Sequence, residues 1–255
     1  MPSAVLEVDK LCKSFGGVHA ITDLTFNLAA GEILGLIGPN GSGKSTTVNV
    51  LAGVYPATSG SIQLAGESIH NLPDYTRVAR GITRTFQTAS LFPDFTVREQ
   101  IMLGCDVKLD SHPLTSVFGT KRYRAEHAAA TERVQQVLAL TGLAEVADHT
   151  VATISSAQQR FLMIATAMAS APKVILLDEP AAGLISSERD TLCDLIRSIR
   201  EQGTAVLVIE HHMALIMEVC DRILVLNFGS QIAEGTATEI RQNQAVIDAY
   251  LGEAA

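Results

Sequence analysis

Nine consecutive residues, Gly38-Pro39-Asn40-Gly41-Ser42-Gly43-Lys44-Ser45-Thr46, have the types and spacing needed to hold a phosphate. They fill the pattern G-x-x-x-x-G-K-[ST] at every position. Glycine at 38, 41 and 43 admits positive φ and lets main-chain N–H groups come close to an anion. Those groups, with the N-terminus of a following helix, make an anion cradle. Lys44 adds a point charge at the β- and γ-phosphates, and Ser45 a hydroxyl for Mg²⁺. The apolar run Ile33, Leu34, Leu36, Ile37 comes before, and Thr47-Val48-Asn49-Val50-Leu51 after. That is the strand, loop and helix context the pattern requires.

A second constellation completes the chemistry. Val174-Ile175-Leu176-Leu177 runs into Asp178-Glu179. A buried strand there places Asp178 at its carboxyl end, the edge where α/β sheets hold ligands. Asp178 suits Mg²⁺, directly or through water. Glu179 is placed to polarise an attacking water as general base. Four apolar residues before two carboxylates are a weak signal alone and a strong one behind a complete phosphate loop.

Strands and helices alternate around these segments. Strands are predicted over Val5–Val8, Leu24–Leu28, Ile62–Leu64, Gly81–Phe86, Val174–Leu177, Ala205–Ile209, Ile223–Leu226 and Gln231–Ala233. Helices are predicted over Arg122–Thr141, Gln158–Ala171, Ser187–Glu201, His212–Val219 and, as one tail helix, Glu239–Leu251. Leu103–Lys121 reads as loops. The pattern implies an α/β nucleotide-binding core. Residues 1–87 and 171–235 make up that core, 88–170 an inserted, mostly helical subdomain, and 236–255 a helical tail.

Composition narrows the partners. The 255 residues are 47% hydrophobic and 18% charged, which suits a globular fold. A net charge of −8, from 27 acidic and 19 basic residues, argues against nucleic acid as the main partner. Cys12, Cys105, Cys193 and Cys220 show no C-x-x-C spacing, so buried free thiols in a reducing compartment are expected. No secretory leader and no 18-residue apolar window is evident, so any membrane role is expected to be peripheral.

With these motifs in place, the whole chain resembles the ATP-binding subunits of ABC transporters. The fold implied is a P-loop NTPase core with an antiparallel β subdomain and an inserted helical subdomain. By that resemblance Gln87, in Thr85-Phe86-Gln87, matches the glutamine that senses Mg²⁺ and the attacking water. His211, in Val208-Ile209-Glu210-His211, matches the switch histidine that contacts the γ-phosphate; a plain surface histidine is the competing reading. Phe15 falls where the family stacks an aromatic ring on adenine, with a core phenylalanine as an equal competitor. Thr83-Arg84-Thr85-Phe86-Gln87, Leu91-Phe92-Pro93, Asp178 to Leu184, Ile232-Ala233-Glu234-Gly235 and Val246 to Gly252 resemble the branched-chain and hydrophobic amino acid importers. Urea-uptake and lipopolysaccharide-export ATPases share several of these stretches. A soluble ATPase of DNA repair or translation would carry the same ATPase motifs, and so would a low-turnover regulatory subunit.

Two stretches depart from the family. The L-S-x-G-Q signature reads Ile154-Ser155-Ser156-Ala157-Gln158, so Ala157 replaces a glycine; Ser155, Ser156, Ala157 and Gln158 are the residues expected to face a γ-phosphate. An added Cβ at 157 is expected to obstruct close approach or a positive φ. Ile185-Ser186 stands where the subgroup usually has Asn-Pro. In the family two ATPase subunits pair head to tail, each nucleotide lying between one P-loop and the other's signature. The expectation is therefore a dimer with a different ATPase chain and unequal sites, slow where ATP faces Ala157, with a tolerated alanine of little effect as an equal competitor. The resemblance also implies two integral-membrane permease subunits, with a coupling segment received near Gln87 and Leu91–Phe95. It implies a solute-binding protein acting indirectly, and a place on the cytoplasmic face of the inner membrane.

Overall fold

Alternating apolar residues lay down the first sheet. The computed structural model of the chain describes residues 4–85, 91–105 and 121–251. In it β1 (Ala4–Phe15) and β2 (Val18–Ala29) form a long antiparallel hairpin. Leu6, Val8, Leu11, Leu24, Phe26 and Leu28 are buried and most of their neighbours are not, the pattern of a sheet with one wet face. The hairpin outruns the predicted Val5–Val8 because the register shifts between Val8 and Leu11, where Lys10 has φ 45°. That bulge puts two exposed residues in succession and breaks the period of two.

The five residues of β3 (Ile33–Ile37) are all buried, and α1 (Lys44–Ala52) follows the glycine loop. Next, β4 (Ser59–Leu64) and the short β5 (Glu67–Ser68) complete a four-stranded antiparallel sheet in the order β2-β1-β4-β5. After α2 (Asp74–Arg80) comes β6 (Ile82–Arg84).

Residues 88–172 form a second compact unit. Its helices α3 (Val97–Cys105), α4 (Lys121–Leu140) and α5 (Ser156–Ala169) pack on one another. Ile101, Val134, Val137, Leu138, Leu162 and Ala165 are buried in it. A Cβ on Gly104 would lie 2.1 Å from the Thr166 carbonyl oxygen, so α3 and α5 approach closely only because that side chain is missing. Leu103–Cys105, expected in a loop, ends α3; its glycine serves packing rather than a turn. The rest of that predicted loop, 106–120, lies outside the described residues.

The chain then returns to the first unit, residues 1–87 and 173–255, with β7 (Val174–Asp178), α6 (Ser186–Glu201), β8 (Ala205–Ile209), α7 (Met213–Val219), β9 (Arg222–Asn227) and β10 (Ser230–Gly235). Six strands form one sheet in the order β10-β9-β3-β8-β7-β6, parallel except for the edge strand β10. Parallel strands buried on both faces explain the unbroken apolar runs of β3, β7 and β8. The predicted tail helix is two, α8 (Ala237–Gln242) and α9 (Gln244–Leu251). Asn243 between them is extended, and its Oδ1 accepts the N–H groups of Ala245 and Val246, starting the second helix afresh.

Candidate nucleotide site

The glycine loop leaves the carboxyl end of β3, which is paired on both sides by β8 and β9. Gly38 has φ 149°, and a Cβ there would lie 2.1 Å from the Leu226 carbonyl oxygen and 2.7 Å from Ser42 Oγ. Gly43 has φ 105°, and a Cβ there would lie 2.6 Å from the Ala20 carbonyl oxygen. Both positions exclude any side chain, by backbone conformation and by space. Pro39, Ser42 and Lys44 are buried, Thr46 is half-buried, and Asn40, Gly41 and Ser45 are exposed. Lys44 Nζ donates to the carbonyl oxygens of Gly38 at 2.6 Å and Pro39 at 2.7 Å, curling the loop around a buried cation. Ser45 presents its hydroxyl in the first turn of α1.

Next but one in the sheet, β7 ends in Asp178, which is 4% exposed. Its Oδ2 accepts from Arg84 Nη2 at 2.7 Å. The same guanidinium donates through Nη1 to Asn49 Oδ1 of α1 at 2.6 Å. Asp178 Oδ1 is buried and finds no hydrogen-bond partner among the described residues. Leaving such an atom unmatched is costly, so its partner is expected from outside the described residues. An orphaned carboxylate oxygen fits a hard cation or a water on one.

Glu179 follows with φ 49°, a left-handed conformation rare for a non-glycine residue. Its N–H donates to the Ile209 carbonyl oxygen at 2.9 Å, and its Oε1 meets His211 Nε2 at 3.0 Å. Beneath them Glu210 is buried: Oε1 accepts the Ala181 N–H at 2.6 Å, and Oε2 accepts those of His211 at 3.2 Å and His212 at 3.4 Å. One carboxylate thus pins the turns after β7 and β8 that carry Glu179 and His211. Sequence reading gave no role to Arg84 or Glu210; a charged residue at the end of an apolar strand was the signal available.

The sheet therefore gathers the loop 38–46, Asp178, Glu179 and His211 at the carboxyl ends of β3, β7 and β8 within the first unit. Phe15 is 43% exposed, so it is no core residue. Lys13 Nζ lies 4.6 Å from its ring centroid, and Tyr55 meets it edge-on at 5.3 Å. Gln87 lies outside the described residues. Ser155, Ser156, Ala157 and Gln158 belong to the second unit. Ser155 caps α5 by accepting the Gln158 N–H at 3.2 Å, while Gln158 Oε1 accepts the Ser155 N–H at 2.9 Å, a reciprocal box. Ala157 sits in the first helical turn, 9% exposed and without positive φ. The expected conformational conflict is absent, because a helix accepts alanine better than glycine. No cluster of three or more His, Cys, Asp or Glu residues able to hold a metal is found among the described residues, so His211 and His212 do not form part of one.

Residues 21–182 match the family model described as ABC transporter, and residues 230–255 match one described as branched-chain amino acid ATP-binding cassette transporter. The chain belongs to the ABC transporter family. It is an ATP-binding subunit and an ATPase of that family. Over 255 residues, all of both chains, this ABC ATPase is 40% identical to the high-affinity branched-chain amino acid transport ATP-binding protein BraF of Pseudomonas aeruginosa. It is 38% identical, with the same full coverage, to LivG of Escherichia coli, which bears the same description. Among solved structures it is similar to an ATP-binding cassette of an ABC transporter in its ADP conformation, with TM-score 0.84, 27% identity, and 98% and 99% of the two chains covered. A nucleotide-free cassette gives TM-score 0.82 at 27% identity, covering 97% and 99%.

Proposed function

We propose that this ABC ATPase energises the import of branched-chain or other hydrophobic amino acids. Full-length identity of 40% to BraF carries that reading. The match of residues 230–255 to the branched-chain amino acid cassette model supports it. ATP sits with its phosphates on the N–H groups of 40–46, where they exchange with the loop carbonyls for the Lys44 ammonium. Ser45 and Asp178 would hold Mg²⁺, which would supply charge neutralisation at the β- and γ-phosphates, and Gln87 is proposed as a further ligand by family resemblance. Glu179 takes a proton from the attacking water, and His211 holds the Glu179 carboxylate in place and meets the γ-phosphate. Phe15, exposed at the end of the first strand, stacks on adenine.

The partners proposed are two integral-membrane permease subunits, a second ATPase paired head to tail, and indirectly a solute-binding protein. Phe92, 47% exposed and stacked on Phe95 at 4.9 Å, offers an apolar surface to a permease segment. The second ATPase is proposed to be a different chain, since Ile185, 64% exposed, offers no polar side chain to a copy of itself. No helix among the described residues is long and apolar enough to cross a membrane. Attachment at the cytoplasmic face of the inner membrane therefore comes through the permeases.

Capture of the tagged chain from its native membranes tests this. Two multi-span proteins and a second ATPase, with leucine uptake lost on deletion, are expected. Capture without any membrane protein would overturn the transporter assembly. Intact leucine, isoleucine and valine uptake on deletion would overturn the substrate class.

A further inference from the structure

We infer that Arg84 is a positioning residue for the metal-binding carboxylate. The inference rests on the reading of Asp178 as a residue that holds Mg²⁺. Arg84 ends β6, and its side chain is 11% exposed. One arm of its guanidinium fork takes Asp178 Oδ2 at 2.7 Å and another takes Asn49 Oδ1 at 2.6 Å. Three separate elements, β6, β7 and α1, are fastened at this point. A carboxylate can rotate about its own axis and offer either oxygen. Here one oxygen is committed to Arg84, and Oδ1 alone is left buried without a hydrogen-bond partner among the described residues.

The tie to Asn49 matters because α1 begins with Lys44 and Ser45. Arg84 thereby fixes the carboxylate of β7 relative to the helix that carries the serine hydroxyl. Lysine at 84 would keep the charge but could not bridge both partners with a planar fork. A buried pair of this kind also leaves Asp178 an uncompensated buried charge if the arginine is lost.

The test is Mn²⁺ binding, followed by electron paramagnetic resonance, to the protein loaded with ADP. Folding is checked by circular dichroism, and ADP affinity is measured separately in excess EDTA. Residues that orient metal ligands typically alter affinity about 10–100-fold. Arg84→Met and Arg84→Lys are therefore expected to weaken Mn²⁺ binding about 10-fold or more, with ADP affinity in EDTA unchanged. Wild-type Mn²⁺ affinity in a folded Arg84→Lys protein would overturn the inference. An equal loss of ADP affinity in EDTA would also overturn it, since Arg84 would then merely brace the phosphate loop. Asp178→Asn separates the two readings. If that change leaves Mn²⁺ binding intact, the assignment of Asp178 fails; if it abolishes binding while both Arg84 variants bind normally, only the role of Arg84 fails.

Discussion

Glu179 combines a left-handed backbone with a direct contact to His211, and the Glu210 carboxylate holds the turns beneath both. The general base proposed here is useful only if it is aimed, and hydrogen bonds rather than the side chain's own preference hold Glu179 in place. Glu179→Gln keeps size and the contact to His211 but cannot accept a proton. Turnover of the assembled transporter is expected to fall about 10²–10⁴-fold with ATP affinity retained, measured by phosphate release and nucleotide titration. Loss of affinity in parallel with turnover would mean that Glu179 shapes the pocket instead. At this scale the placement of Lys44, Ser45, Asp178 and Glu179 at the element ends was legible because it follows from spacing along the chain. Arg84 and Glu210 were not. Arg84 acquires its role by pairing with a residue 94 positions away, and Glu210 with one 29 positions away, partners that only strand order defines.

Elements show the same division. The apolar runs of β3, β7 and β8 announced buried parallel strands, and α6 announced itself by its periodic apolar face. The bulge in β1, the helix α3 and the break at Asn243 depend on backbone choices that periodicity does not record. Arg77 of α2 illustrates what else is hidden. It is 1% exposed, and its guanidinium donates to the carbonyl oxygens of Val50, Leu51, His70 and Leu72. Two of these lie in the last turn of α1, so a cation sits at the negative end of the helix whose other end carries the phosphate loop. Burial alone pushes its pKa down from the ordinary arginine value, and the carbonyls offset that cost. Arg77→Met, which keeps the stem and takes a donor away from four carbonyl oxygens, is expected to lower stability by about 3 kcal/mol, read as an earlier urea midpoint at unchanged slope.

For the whole molecule, the departure at Ala157 bears on how two ATPases share work. The expectation of an obstructed site had two grounds, close approach to a nucleotide and a positive φ, and the second is removed by the helix. The residue is helical and buried, so its methyl belongs to the packing of the second unit. Ala157→Gly is accordingly expected to lower stability by about 1 kcal/mol and to leave turnover of the assembled transporter unchanged, measured by thermal melts and phosphate release. A rise in turnover would restore the case for unequal sites built on this residue. The family was readable from motifs that span the chain. The head-to-tail partner is proposed through resemblance alone, since a surface that meets another chain leaves no internal period.

The place of β3 in the sheet also has a consequence during synthesis. Its two neighbours are β8 and β9, residues 205–209 and 222–227, whereas the phosphate loop it leads into is complete by residue 46. A ribosome therefore releases the whole inserted unit before either neighbour exists, and β3 waits as an unpaired apolar segment in the nascent chain. Long-range pairing of this kind is slow and exposed to misassembly. The nucleotide pocket is completed only when the last quarter of the chain has emerged, so a truncated product carries the full glycine motif and no site.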